Sequence, residues 1–332
     1  MLILNNDKKM NKKLVYLVIL LVFFIGCRGP IDREGGITYY RTGTQGITVN
    51  FMYNTPDELY EYEDGEIIIE LRNEGAFPQA EEIGEFAGRI WIGGYDPNIM
   101  ILEPEELYLD ELALEGKSPF NDRGGYDTIR VRSDIYNLPK GIASLPQTMQ
   151  VSLTYLYKTI ANPLVCIDPT PRSTYLRQKV CSVDDYRSIG VPTQGAPVNV
   201  ISVDERVTSE AILFNIRIKN IGYGQGGYGE GYSIGTGKVI DEHLWDDDPH
   251  RGYSINEIDR VRIDEISVGS IPLLCQPDDG FIKLIEGEGT IFCKLPTAGI
   301  SDVYLSPLTI VLEYAYLSSI YKNINILEEV IY

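Results

Sequence analysis

Leu71-Arg72-Asn73-Glu74-Gly75 and Ile218-Lys219-Asn220-Ile221-Gly222 are one phrase written twice: an apolar strand end, a base, asparagine, any residue, glycine. A second phrase recurs about as far along each half, where Leu153, Tyr155 and Tyr157 alternate as Leu312, Tyr314 and Tyr316 do. The first pair is offset by 147 residues and the second by 159, so the order is kept while the second half is longer. Tandem duplication accounts for both echoes, and convergence of short strand-like patterns is the competing account. Asparagine and glycine tolerate positive φ, which suits a turn leaving a strand.

Around these anchors the dominant signal is period-two alternation of β-branched and aromatic residues, bounded by Gly, Pro, Asn and Asp. Strands are expected at 47–52, 66–72, 89–93, 128–132, 150–157, 211–219, 260–266, 290–294 and 308–316. The spacing is that of an all-β chain of sandwiches. Gly190, Pro192, Gly195 and Pro197 interrupt regular structure, so the expected division is a β-sandwich at 47–182, a linker at 183–197 and a second β-sandwich at 198–332. The stretch 104–116, with Leu107, Leu109, Leu112 and Leu114, fits an edge strand or a short helix.

The strand ending in Asn-x-Gly resembles that of CARDB-type and related immunoglobulin-like modules of prokaryotic surface proteins. The contexts Val165-Cys166-Ile167-Asp168-Pro169 and Cys275-Gln276-Pro277, with Gly287-Glu288-Gly289 before Cys293, are similar to those of cell-surface proteins of small-genome archaea. The resemblance implies two tandem immunoglobulin-like domains used for display, spacing and adhesion, with no catalytic residues to carry over.

The amino-terminal segment sets the expected compartment. Lys12 and Lys13 precede thirteen apolar or small residues, 14–26, followed by Cys27 and Arg28. A basic start, a short hydrophobic run and a small residue before the cut are the parts of an export signal, and the run falls short of the roughly 20 residues a membrane-spanning helix needs. Phe24-Ile25-Gly26-Cys27 resembles a lipobox, with Phe24 where leucine is usual, which implies a signal at 1–27 ending in acylation of Cys27. Ordinary cleavage and an uncleaved anchor are the competing readings. The glycine-rich segment 28–46 reads as a flexible tether. The expected location is therefore the outer face of the membrane, held there by a lipid or anchor.

Charge narrows the partners. The formal net charge is −19, and removal of 1–26, which carries Asp7 against Lys8, Lys9, Lys12 and Lys13, leaves −22. Such a field repels nucleic acid. With Cys27 assigned to the anchor, Cys166, Cys181, Cys275 and Cys293 remain, an even set that favours disulfides in an exported chain. Of the three connectivities, the local pairs Cys166 with Cys181 and Cys275 with Cys293 are favoured, because each closes a short loop within one half. A zinc site is the rival, against which stand the lack of any CxxC and the distance of both histidines from the cysteines in sequence.

Three motifs bear on chemistry. Gly231-Tyr232-Ser233-Ile234-Gly235 spells the GxSxG of a nucleophile elbow, but it sits in a glycine run that lacks the strand-turn-helix context the elbow needs. Asp241, Glu242, His243, Asp246, Asp247, Asp248 and His250 form the densest cluster of metal-ligating types; the oxygens suit calcium and the histidines would add a donor for zinc or nickel. The spacing matches no EF-hand or zinc signature, a solvated loop is the plain alternative, and no resident cofactor is expected. Tyr223, Tyr228 and Tyr232 in the glycine run, with Trp245 after it, make a candidate ligand-binding loop, since tyrosine offers contact area at low entropic cost. Most other tyrosines, of 23 in all, alternate in strands and read as packing residues. The functional expectation is a non-enzymatic structural or adhesive protein of the cell envelope that binds another surface protein or a glycan; the alternative is a carbohydrate-binding or carbohydrate-processing envelope protein.

Overall fold

In the computed structural model of the protein, residues 40–79, 87–110, 112, 114–136, 138–172, 179–222, 237–329 and the backbone of 232–234 are described. The leader, Cys27 and most of the tether lie outside them. The described chain is all-β, its only helical turns being two single 3-10 turns, Glu242–Leu244 and Pro249–Arg251. The first half supplies β1 (Ile47–Phe51), β2 (Glu58–Tyr60), β3 (Asp64–Asn73), β4 (Gly88–Gly93), β5 (Met100–Glu103), β6 (Glu106–Tyr108), β7 (Tyr126–Ile135), β8 (Ser144–Ala161) and β9 (Leu164–Ile167). The second half begins with β10 (Ser188–Gly190), β11 (Val198–Val207), β12 (Ala211–Asn220), β13 (Tyr232–Ile234), β14 (Lys238–Ile240) and β15 (Arg260–Val268). It closes with β16 (Ile271–Pro272), β17 (Leu274–Gln276), β18 (Phe281–Lys283), β19 (Glu288–Pro296) and β20 (Tyr304–Leu327). All nine expected strands are present, and the ambiguous 104–116 stretch yields β6, an edge strand paired to β4.

The strands make three sheets: a four-stranded sheet β1-β3-β7-β5, a five-stranded sheet β10-β11-β12-β19-β17, and an eleven-stranded sheet whose main path is β16-β15-β20-β8-β4-β6. Burial alternates along β1, β3 and β4, as it must where one face of a strand is packed and the other is wet. One continuous buried cluster runs through both halves. Its largest members are Tyr155, Tyr157, Tyr314 and Phe214.

The two halves are joined by the longest ladder in the molecule, in which β8 and β20 run antiparallel from Ile310 opposite Ala161 to Leu327 opposite Ser144. Residues 39–332 cluster as one unit by backbone contacts. The stretch 183–197 contributes β10 to the edge of the five-stranded sheet. It also buries Gln194 and Ala196, and Ala76 N–H donates to Gly195 O at 2.8 Å.

Four buried tyrosines clamp the starts of both halves onto this ladder. Tyr155 Oη accepts from Ile47 N–H at 3.1 Å, at the start of β1, and Tyr314 Oη accepts from Val198 N–H at 3.1 Å, at the start of β11. Tyr157 Oη accepts from Phe77 N–H at 3.2 Å and donates to Gly195 O at 3.0 Å, while the Tyr316 hydroxyl donates to Gly222 O. The Asn-x-Gly phrase explains itself here, and the explanation corrects the expected one: neither Gly75 nor Gly222 has a positive φ. A side chain at Gly75 would overlap the Tyr157 hydroxyl, and one at Gly222 would come within 2.8 Å of the Tyr316 hydroxyl and 2.6 Å of Pro197. Both glycines are there for close approach. Asn73 holds the turn from inside, its Nδ2 donating to Phe77 O at 2.8 Å and Leu114 O at 2.9 Å.

Candidate functional site

The residues singled out from the sequence divide three ways. Cys27, Tyr223 and Tyr228 lie outside the described residues, and of Tyr232 only its backbone in β13, paired with Lys322, is described. Ser233 of the GxSxG phrase lies within β13 opposite Tyr321, and β14 follows from Lys238; no α-helix follows it among the described residues. The four remaining cysteines form the local pairs Cys166–Cys181 and Cys275–Cys293.

The acidic cluster is taken up by structural duties. Asp241 caps the first 3-10 turn, its Oδ1 accepting from His243 N–H at 3.1 Å, and its other oxygen pairs with Arg260 at 3.1 Å. Asp248 caps the second turn, accepting from His250 N–H at 2.8 Å, and Asp247 pairs with Arg251 at 2.8 Å. Asp246 receives Arg89 from the first half, at 2.5 Å to Oδ1 and 2.8 Å to its carbonyl oxygen. The Arg89 guanidinium lies against two rings, with its carbon 3.9 Å from the Trp91 ring centre and 4.7 Å from that of Tyr108. Trp245 sets its ring edgewise to Tyr108 at 6.4 Å. Trp245 and Asp246 thus fasten the 241–259 excursion to the first half. Among the described residues no group of three or more His, Cys, Asp or Glu side chains is arranged to hold a metal ion.

The concave site lies elsewhere, as an open cleft of about 1310 Å³ at one end of the five-stranded sheet, lined by Asp168, Glu205, Asn215, Leu274, Phe292 and Lys294 among others. Strand register dictates which side chains reach it. One cross-strand row reads Glu205, Phe214, Cys293, Cys275, with Phe214 and Cys293 buried, so this row faces the core. The rows beside it face outward: Asp204, Asn215, Phe292, Gln276, and then Arg206, Leu213, Lys294, Leu274. Phe292 is 57% exposed and Leu274 66%, leaving a ring and an aliphatic chain on open sheet. Because β19 must turn Ile291, Cys293 and Leu295 inward to pack and to form the disulfide, Phe292 and Lys294 are forced outward.

Two oxygens lining the cleft are unusual. Glu205 Oε1 and Asn215 Oδ1 are buried and accept no hydrogen bond among the described residues. Glu205 reaches its core-facing position because a bulge between Val200 and Ser202 shifts the alternation of β11 by one. Its other oxygen accepts from Cys166 N–H at 3.2 Å, pinning β9 and the disulfide-closed segment to the sheet. Burial, opposed by that N–H and assisted by the nearby Asp168 charge, pushes the Glu205 carboxyl up to about 7. Asp168 itself is buried and holds Lys179 at 2.5 Å. A carboxyl near neutrality in a cleft is the kind of group that serves as a general acid; here it lies in the inward row and already holds a backbone donor, which makes it a pin for β9.

Sequence reasoning missed this cleft, although one signal pointed to it: an aromatic residue immediately before a disulfide cysteine in an alternating strand must face the opposite way from the core. No family model matches the chain and no curated protein matches it.

Proposed function

We propose that the protein is an exported, membrane-anchored and non-enzymatic binding protein of the cell envelope, made of two immunoglobulin-like β-sandwiches of the CARDB type that share a ladder. The observation that carries this reading is the open outer face of the five-stranded sheet, with Phe292 and Leu274 exposed above a cleft. Exposed apolar groups gathered on one sheet face and rimmed by polar residues are the usual mark of a recognition surface. Two disulfides, together with the leader and its cysteine, support an oxidising exterior.

A specific arrangement also favours the carbohydrate-binding form of this reading. Phe292 shares its row with the amides of Asn215 and Gln276, and a flat ring flanked by planar hydrogen-bonding groups is suited to a sugar, whose one face is C–H and whose edge is hydroxyl.

The reading is tested in two steps. Mass spectrometry of membrane-extracted protein is expected to find Cys27 acylated, and Cys27→Ser is expected to move the protein into the soluble fraction. Binding of isolated envelope polysaccharide is expected to disappear in Phe292→Ala. Release of new reducing ends from that polysaccharide by the wild-type protein would show an enzyme instead.

A further inference from the structure

One row on the outer face of the five-stranded sheet runs against the charge of the molecule. In a chain of net charge −19, the row Arg206, Leu213, Lys294, Leu274 sets cations and leucines alternately across four strands. Among the described residues no carboxylate lies within ion-pair reach of either Arg206 or Lys294, although most other cations of the two halves' strands are paired, as Lys219 is to Glu288 at 2.6 Å. Two strand spacings separate Arg206 from Lys294, or roughly 9–10 Å at their Cα atoms. Between and beside them lie Leu213, Leu274 and the exposed Phe292 ring. Arg217 stands farther along the same face, with its Nε donating to Ser202 Oγ at 2.7 Å.

We propose that this face binds an acidic glycan, a chain of uronate-type sugars, with a sugar ring over Phe292 and carboxylates on Arg206 and Lys294. The proposal rests on the carbohydrate-binding reading and deepens it by fixing the ligand's charge. Each component of the face selects for part of that chemistry. The two uncompensated cations call for carboxylates spaced about two strands apart, which a neutral sugar does not offer. The ring and leucines call for an apolar face on the same molecule. Asp204, in the Phe292 row, and Asp184 and Asp278 also line the cleft, so a densely charged polyphosphate meets more repulsion there than a sparsely charged polyuronate.

The test is titration calorimetry on the full chain in detergent with three probes: a galacturonate oligomer, the same oligomer fully methyl-esterified, and poly-glutamate. Binding of the free oligomer is expected to weaken by roughly fivefold in Arg206→Ala and in Lys294→Ala, the scale of a solvent-exposed ion pair. In Phe292→Ala it is expected to weaken by about tenfold, the scale of one stacked ring. All three side chains are exposed, and unchanged thermal melting of the variants would show that each still folds. Equal binding of the free and esterified oligomers would overturn the acidic specificity while leaving the carbohydrate reading standing. Binding of poly-glutamate alone would overturn both, and binding of no probe would overturn the acidic-glycan proposal while the envelope-polysaccharide test decides the carbohydrate reading.

Discussion

Leu156 stands opposite Ala315 at the centre of a local two-fold relation between the halves. Tyr155 and Tyr314 are 159 positions apart in sequence, as are Tyr157 and Tyr316, and as are Leu156 and Ala315. In the ladder Tyr155 pairs with Tyr316 and Tyr157 with Tyr314, so each tyrosine faces the counterpart of its neighbour. That is the pattern of an isologous dimer interface, here within a single chain. Backbone bonds repeat it: Asn73 N–H donates to Gly125 O at 2.9 Å, and Asn220 N–H to Gly287 O at 2.8 Å. The duplicated phrases are therefore corresponding parts of two halves joined strand to strand.

The tyrosine hydroxyls give a paired expectation. Tyr155→Phe removes the hydroxyl that accepts from the buried Ile47 N–H, and Tyr314→Phe the one that accepts from the buried Val198 N–H. Each change is expected to lower stability by about 1–3 kcal/mol, the cost of an unmet buried donor. Urea unfolding measures both, and a neutral effect of either would remove that hydroxyl from the set of clamps.

The disulfides close segments of 15 and 18 residues. Restricting loops of that length in the unfolded chain stabilises by about 3 kcal/mol each. Replacing either pair by serine is expected to lower the urea midpoint accordingly, and non-reducing peptide maps are expected to return Cys166 with Cys181 and Cys275 with Cys293. A map joining Cys166 to Cys275 would contradict the fold.

Glu205 makes stability depend on pH in a sense opposite to that of most carboxylates. Its folded value, about 7, lies above the ordinary 4.5. As pH rises between these values, the unfolded chain releases the proton while the folded protein keeps it, so stability falls across that window and the loss is complete above about 7. The full effect is on the order of 3 kcal/mol. Glu205→Gln is expected to match wild type at about pH 4 and to exceed it at about pH 8. A difference of the same size at both pH values would refute the account.

Arg89 ties the 241–259 excursion to the first half. Arg89→Met keeps much of the side-chain volume but removes the bonds to Asp246 and the cation over Trp91. The expected outcome is a loss of about 1–3 kcal/mol, with early protease cleavage between the two 3-10 turns. Wild-type resistance to protease would mean that Arg260 and Arg262, which hold Asp241 and Glu242, fasten the excursion unaided.

Strand identity was legible because half-buried strands must alternate, and alternation survives in any window of a few residues. The disulfide pairs were legible because each closes a short local loop. Pairing between β8 and β20 was not, since nothing in either strand names a partner far along the chain. β20 also runs past 316 to 327 because Ile320, Ile324 and Ile326 keep one face buried, while Lys322, buried among them, finds Asp57. The binding surface was sought in the glycine-tyrosine run because composition was conspicuous there. The cleft depends instead on a bulge that turns Glu205 inward and on a cysteine that turns Phe292 outward, and neither leaves a mark in composition.

The lateness of β20 sets a condition on biogenesis. During synthesis β8 presents a long edge of unmet amides and carbonyls until residues 304–327 have emerged, and such an edge is a template for pairing with other chains. Truncation before residue 304 is therefore expected to yield aggregates.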